Sequence, residues 1–302
     1  MTTVAANGLQ IEVDDQGPRD DPTPLLLIMG LGMQLVAWPE GLVRLLTDAG
    51  RRVIRFDNRD AGLSDGFDHS GLPNLVGTTL RYWLRLPVPS AYRIEEMAGD
   101  AFGVLDALGV QRAQVVGASM GGMVAQHMAA RQPERVARLM LMMTSSGARH
   151  LPQPNAKVRR ALMRRPAKPG DRQAVVERIV ALFDLIGSPA YKPDAAEFRA
   201  RIEAMIERAH RPAGIARQLV AVVADGDRSA LLAGITAPTH IVHGDADPLI
   251  PVAAAHDLQA KIPGATLEVI AGMGHDLPQA LWPRFAQAML KPQSPKRAVT
   301  SP

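Results

Sequence analysis

The chain's 302 residues carry 34 basic and 30 acidic side chains, a net charge of +4 that argues against a nucleic-acid-binding surface, and only 4% aromatics to stack on single strands. Cysteine is absent, which excludes disulfides, thiolate chemistry and cysteine-ligated metals. With 47% apolar and 21% charged residues the chain can bury one large core, alone or with a smaller added domain.

The opening, MTTVAANGLQIEVDD, has no basic stretch followed by an apolar one, so no secretory signal is expected. Within it Asn7-Gly8 lies between two short alternating runs, which predicts a hairpin. PLLLIM (24–29) reads as a fully buried strand, broken by Gly30 and Gly32. The apolar stretch that continues to Trp38 is too short to span a bilayer, so the expectation is a cytoplasmic protein without membrane contact. A helix is expected over 39–49, opened by Pro39 and ended by Gly50, then a strand over 52–56 and the polar loop DNRDAGLSD. Residues 94–108 carry Ile94, Met97, Ala101, Val104, Leu105 and Leu108 at helical spacing. A strand over 113–116, a helix over 121–131 and a strand over 136–143 follow. Short buried runs alternating with amphipathic helices predict an α/β class, with a mostly parallel sheet flanked by helices.

From 148 to 228 strand-like runs are missing. VRRALMRR, AVVERIVALFDLIG, AAEFRARIEAMIERAH and GIARQLVAVVADGD predict three to five helices. Strands return at 239–242 and 267–270, with helices near 252–261 and 278–290. The end, 291–302, KPQSPKRAVTSP, is expected to be a disordered tail. The core thus splits into segments 1–147 and 229–290 around a helical insertion, 148–228. The insertion would enter and leave on the carboxyl side of the strands, where open parallel sheets bind ligands.

VVGASMGGMV (115–124) holds Gly117-Ala118-Ser119-Met120-Gly121, a G-x-S-x-G sequence between a strand and a helix. Such a turn projects the serine hydroxyl above the sheet, with a helix N-terminus beneath any developing oxyanion. Five such letters also arise by chance in a chain with 26 glycines; the strand before and the amphipathic helix after are what the motif requires. A serine nucleophile needs a base, and the base an orienting acid. Of eight histidines, His127 lies two turns into the helix after Ser119 and suits packing. His240 and His243 flank the strand THIVH as structural residues, and His69, His150, His210 and His256 fall on loops or surfaces. His275 differs, sitting in the glycine-bounded loop AGMGHDLP after a strand. HGDADPLIP offers Asp245 and Asp247; Pro248 extends the backbone at Asp247, while Asp245 suits capping of the turn.

These segments together resemble the α/β-hydrolase fold: LLLIMGLG (25–32), DNRDAGLSD (57–65), GASMGG (117–122), HGDADPLIP (243–251) and GMGHDLP (272–278). The resemblance implies a serine hydrolase with a helical cap, Ser119 as nucleophile, His275 as general base and Asp247 as its carboxylate. It implies an oxyanion hole of the Leu31 and Met120 backbone N–H groups. Met29-Gly30 stands where many relatives have His-Gly. That pair, Trp38-Pro39 and GMGH are similar to bacterial methylesterases of anthracycline-type polyketides, which implies an esterase for a bulky apolar ester. Arg59, Asp60 and Gly62 are expected to brace the top of the sheet.

Met29, Met33 and Met273 fall in loops beside Ser119, and with Met120 they suggest an apolar, adaptable pocket, although core packing is the ordinary fate of any one methionine. No metal is expected, because Arg59 and Ala61 occupy ligand positions of a calcium loop, and no cofactor, because GLGMQLVAW lacks a dinucleotide fingerprint. The expected partner is a small-molecule ester. Proline-releasing peptidases, carbon–carbon bond hydrolases, lactonases and cofactor-free haloperoxidases share the same apparatus. A non-catalytic ligand-binding protein on this fold is the alternative of a different class.

Overall fold

A computed structural model describes residues 1–163 and 171–291. The expected tail lies, beyond Lys291, outside the described residues.

Eight strands form one sheet: β1 (Thr2–Ala6), β2 (Leu9–Gln16), β3 (Leu25–Ile28), β4 (Val53–Phe56), β5 (Ala113–Ala118), β6 (Val136–Met142), β7 (Thr239–Gly244) and β8 (Thr266–Ile270), in the order β1-β2-β4-β3-β5-β6-β7-β8. The hairpin is present: β1 and β2 pair antiparallel across Asn7 and Gly8, whose φ of 50° and 79° give the mirror-image turn that matches strand twist. β2 also runs antiparallel to β4, and every pair from β4 to β8 is parallel. These strands are apolar on both sides because both faces are covered. Leu26 and Ile28 join one core cluster with Val115, Leu139 and Leu141, while Leu25 and Leu27 join the other with Val116, Met140 and Met142.

The first cluster packs under α3 (Ile94–Ala107), α4 (Met120–Arg131) and α10 (Ala253–Lys261). The second packs under α1 (Glu40–Asp48) and α11 (Trp282–Leu290), where Trp38, Leu42 and Leu46 meet Phe285 and Met289. Both clusters grip the short central strands, so the strand ends are rigid platforms. β3 is flanked by β4 and β5, so the chain moves outward from β3 in both directions. The crevice above β3 and β5 is therefore the topological switch point.

The elements expected from the sequence are present within a few residues. The sequence assigns no element to 66–93, where the structure has α2 (Leu75–Trp83), N-capped by Asn74, whose side chain accepts the Gly77 N–H. Between β6 and β7 the described residues form α5 (Ala156–Met163), α6 (Arg172–Ile186), α7 (Ala195–Arg208), α8 (Pro212–Asp225) and the short α9 (Ser229–Leu232). Asp171 and Asp194 cap α6 and α7 with their carboxylates, and Pro212 opens α8. Among the described residues no helix is long and apolar enough to cross a membrane.

Candidate active site

β5 ends in a sharp turn. Ser119 has φ 54° and ψ −120°, a backbone conformation that β-carbon-bearing residues rarely adopt. Hydrogen bonds from the Ser119 N–H to the Met142 carbonyl (3.0 Å) and from the Thr144 hydroxyl to the Ser119 carbonyl (2.7 Å) hold it there. The flanking glycines let backbones pass: a Cβ at Gly117 would strike the Gly121 carbonyl, and one at Gly121 would strike that of Ile28. Ser119 is half-buried at the foot of α4, where its carbonyl accepts the Gly122 and Met123 N–H groups at 2.9 and 3.3 Å.

The loop after β8 brings His275 over this turn. His275 Nε2 lies 3.0 Å from Ser119 Oγ, and Nδ1 lies 2.7 Å from Asp247 Oδ2. Asp247, at the end of β7, is oriented by its other oxygen, Oδ1, which accepts the Leu249 and Ile250 N–H groups at 2.9 and 2.8 Å. Asp245 instead accepts the Gly272 N–H at 2.7 Å and so ties the acid loop to the histidine loop, a longer-range bond than the local turn cap expected of it. His243 is wholly buried 3.5 Å from Asp247 Oδ2. Burial pushes its imidazole below the ordinary value, so it stays neutral and donates from Nε2 to the Ile250 carbonyl at 2.7 Å, bracing the same loop.

The loop after β3 forms the opposite wall. A Cβ at Gly30 would come within 3.1 Å of Ser119 Cβ and 3.6 Å of its Oγ, so glycine there keeps the hydroxyl unobstructed. Leu31 follows, half-buried against the core. Two buried glutamines set this loop. Gln218 on α8 accepts the Gly32 N–H (2.7 Å) and donates to the Arg59 carbonyl (2.7 Å). Gln34 donates to the Met205 and Ala209 carbonyls (2.7 and 2.8 Å) at the end of α7 and accepts from Arg208 (2.7 Å). Arg208 also reaches Asp57 at 2.7 Å. Burial pushes the Asp57 carboxyl up despite that guanidinium and the Leu35 and Leu63 N–H groups it accepts.

The DNRDAGLSD loop braces the sheet top. Arg59 grips Asp100 through two bonds of 2.6 Å and lies 5.1 Å from both the Phe67 and Tyr92 ring centres. Asp60 takes a two-pronged contact from Arg217 on α8 at 2.7 and 2.8 Å. Burial pushes the Asp60 carboxyl up, but Arg217, the Phe67 N–H and the Tyr92 hydroxyl together hold it below the ordinary carboxylate range.

The end of α6 holds the histidine loop. The His275 N–H donates to the Ile186 carbonyl at 2.7 Å, and the buried Ser188 hydroxyl contacts Asp276 while accepting the Gly274 N–H at 2.8 Å.

Two of the three methionines expected to line a pocket belong to the core. Met273 is fully enclosed among Ile270, Leu281 and Phe285, and Met29 is buried beside Leu27 and Trp38. Both lie against the covered face of the sheet, because the loops carrying them turn their side chains down onto α1 and α11. Met33 differs: it is half-buried and bridges that core to the cluster of Val176, Ile202 and Met205 on the inserted helices. His127 pairs with Asp225 at 2.9 Å, away from Ser119, and His256 is exposed on α10. Among the described residues no cluster of histidine, aspartate and glutamate could hold a metal ion.

Residues 23–278 match the α/β hydrolase fold family. The chain belongs to this family. It is 31% identical over 288 residues to rhodomycin D methylesterase DauP of Streptomyces sp. (strain C5), covering 88% of this chain and 89% of that one. It is 28% identical to a 2-hydroxy-6-oxononadienedioate/2-hydroxy-6-oxononatrienedioate hydrolase of a Pseudomonas species, covering 91% of this chain and 88% of that one. The crystal structure of the enol-lactonase of Burkholderia xenovorans LB400 superposes with a TM-score of 0.70 at 22% identity, over 96% of this chain and 98% of that one, a likeness of fold alone. This α/β hydrolase is thus an enzyme of a family whose curated relatives include methylesterases.

Gln218, Gln34, Arg208, Arg217 and Ser188 had no signal in the sequence. Each is a single polar residue on an apolar helix or loop and becomes meaningful only when a distant loop supplies its partner.

Proposed function

We propose that the chain is a serine carboxylic-ester hydrolase that works through a covalent acyl-enzyme. The observation that carries this reading is the linear relay Ser119 Oγ, His275 Nε2, His275 Nδ1 and Asp247 Oδ2, with contacts of 3.0 and 2.7 Å, mounted on a strained turn. Ser119 Oγ attacks the ester carbonyl while His275 Nε2 takes its proton. The carbonyl oxygen becomes an oxyanion facing the Leu31 and Met120 N–H groups, which contribute about 3 kcal/mol each in such sites. The tetrahedral adduct collapses, the C–O bond to the alcohol breaks, and His275 returns the proton to the leaving oxygen. Water then attacks the acyl-enzyme with the same histidine as base and releases the acid. Asp247 stays ionised and holds the imidazole in the tautomer that presents Nε2 to serine.

The helices between β6 and β7 act as the cap. Val176, Ile202 and Met205 form its apolar underside, packed against Met33 of the β3 loop, which favours an apolar ester. The methylesterase relatives make the methyl ester of a bulky polyketide acid the substrate class to try first.

The test is labelling with a fluorophosphonate in the wild type and Ser119→Ala, beside a panel of p-nitrophenyl esters and methyl esters of polycyclic acids. Labelling and ester turnover that both vanish with Ser119 support the reading. Labelling without ester turnover transfers the same serine to carbon–carbon or lactone substrates. A folded protein that neither labels nor turns over any ester defeats the serine-hydrolase reading and leaves a ligand-binding protein.

A further inference from the structure

The helix α2 is turned inside out. Val76, Leu80 and Trp83 share one face at helical spacing, and that face points to solvent: Val76 is 81%, Trp83 70% and Leu80 58% exposed. Leu72, Leu84 and Leu86 extend the apolar surface at either end, and no residue of α2 is buried. The helix leans on the body through its opposite side, where Gly77, Thr78 and Tyr82 are half-buried, beside α8. An ordinary surface helix would be rotated by half a turn, and a contiguous apolar ridge of this kind marks a contact surface.

Between residues 69 and 94 the formal charges are of one sign. No acidic residue lies between Asp68 and Glu95, whereas Arg81, Arg85 and Arg93 do. A fourth arginine, Arg149, stacks on the Tyr82 ring at 4.9 Å and donates to the Tyr82 carbonyl at 3.3 Å. The neighbouring acid, Asp68, is engaged by Arg217 at 2.7 Å.

We propose that α2 seats the protein on an anionic lipid surface, with Val76, Leu80 and Trp83 in the headgroup–acyl boundary and the arginines against lipid phosphates. Leucine, valine and tryptophan on the outer side of a short helix, with arginines flanking, is the composition of a helix that lies in a membrane interface. A second copy fits less well, because a two-fold contact through this ridge would set the arginines of one copy against those of the other. The inference stands apart from the chemistry assigned to Ser119.

The experiment is co-sedimentation of the full chain with phosphatidylglycerol–phosphatidylcholine vesicles and with pure phosphatidylcholine vesicles, at low and high salt, with tryptophan emission recorded. Trp38 is wholly buried and Trp282 half-buried, so Trp83 dominates any change on contact. The expected result is binding at least about tenfold stronger to the anionic vesicles, weakened by salt, with a blue shift absent from Trp83→Ser. Val76→Asp and, separately, the double variant Arg81→Glu/Arg85→Glu should each lose that preference while hydrolysis of a soluble p-nitrophenyl ester and the melting temperature stay unchanged. Equal or absent binding to both vesicle types overturns the proposal. So does a stable wild-type dimer that Val76→Asp converts to monomer without any vesicle binding, which would give the ridge to a second copy.

Discussion

The candidate site is built from two halves that are encoded in different ways. Ser119, Asp247 and His275 come from the ends of β5, β7 and β8, and each sits inside a short run of its own: GASMGG, HGDADP and GMGHDLP. The loop after β3 is set from elsewhere, by Gln218 and Arg208 on the inserted helices, 186 residues from Gly32 in one case. The contrast separates two demands. Reactive groups need a rigid platform and a defined local turn, which a few consecutive residues can specify. A backbone donor aimed at an oxyanion needs its peptide plane fixed from the side, which only a distant element can do.

The largest effect should follow from breaking the first half. Ser119→Ala is expected to lower kcat/KM by about 10⁴-fold or more, and Asp247→Asn by about 10³- to 10⁴-fold, with melting temperatures near wild type. Steady-state kinetics on the best ester checks this. A Ser119→Ala loss of less than tenfold would move the chemistry to another group.

Breaking the second half should cost less and show in a different constant. Gln218→Ala frees the Gly32 N–H and leaves the Arg59 carbonyl without its partner, so the Leu31 peptide loses its lateral stop. Losing one oxyanion donor costs about 10²- to 10³-fold in kcat, so loosening one is expected to cost about 10- to 100-fold, with KM changed less than threefold. Gln218→Glu can still accept the Gly32 N–H and should recover part of kcat. A change in KM alone would mean that Gln218 shapes the pocket and leaves the loop untouched.

This division also sets how much was legible in the sequence. The α/β class, the strands from β1 to β8, the insertion between β6 and β7 and the three residues of the relay are readable because apolar runs and turn glycines are local signals. Asp60 shows where legibility ends. DNRDAGLSD reads as a brace, but its partner Arg217 lies within GIARQLVAVV, where an arginine reads as a solvated side chain. Met29 and Met273 show the same limit in reverse. Nearness to Ser119 in sequence suggested a pocket lining, but the backbone direction after β3 and β8 sends both side chains into the core. The helix α2 escaped notice because its apolar face has no complementary surface to reveal its period.

The anchoring of the insertion can be tested by pH. Asp60 is held below the ordinary carboxylate range, so its contribution to stability is fully present above the unfolded value near 3.8 and is lost as pH falls through the lower folded value. Asp60→Asn leaves Arg217 buried with half its contact, and breaking a buried pair in this way destabilises by about 3 kcal/mol. Urea unfolding should show that gap at pH 7 and a shrinking gap below about pH 4. A gap independent of pH would mean that packing around Asp60, and not its charge, holds α8 down.

The smallest effect should come where the insertion meets the loop of His275. The Ser188 hydroxyl contacts Asp276 and accepts the Gly274 N–H, and the next bond along, from the His275 N–H to the Ile186 carbonyl, uses backbone alone. Ser188→Ala removes only the first two, so the loop keeps its backbone tie and Asp247 still orients the imidazole. The expected loss is about 1–2 kcal/mol of stability and less than tenfold in kcat. Burial pushes Asp276 up, with the Ser188 hydroxyl and N–H opposing that rise, so the ionised form costs stability as pH climbs through the folded value. Without the hydroxyl the carboxyl should rise further. The stability gap between wild type and Ser188→Ala should therefore be widest at neutral pH and narrow as Asp276 is protonated. A gap that widened in acid would place the proton elsewhere, and a kcat loss as large as that of Gln218→Ala would show that the histidine loop depends on the inserted helices as strongly as the loop after β3 does.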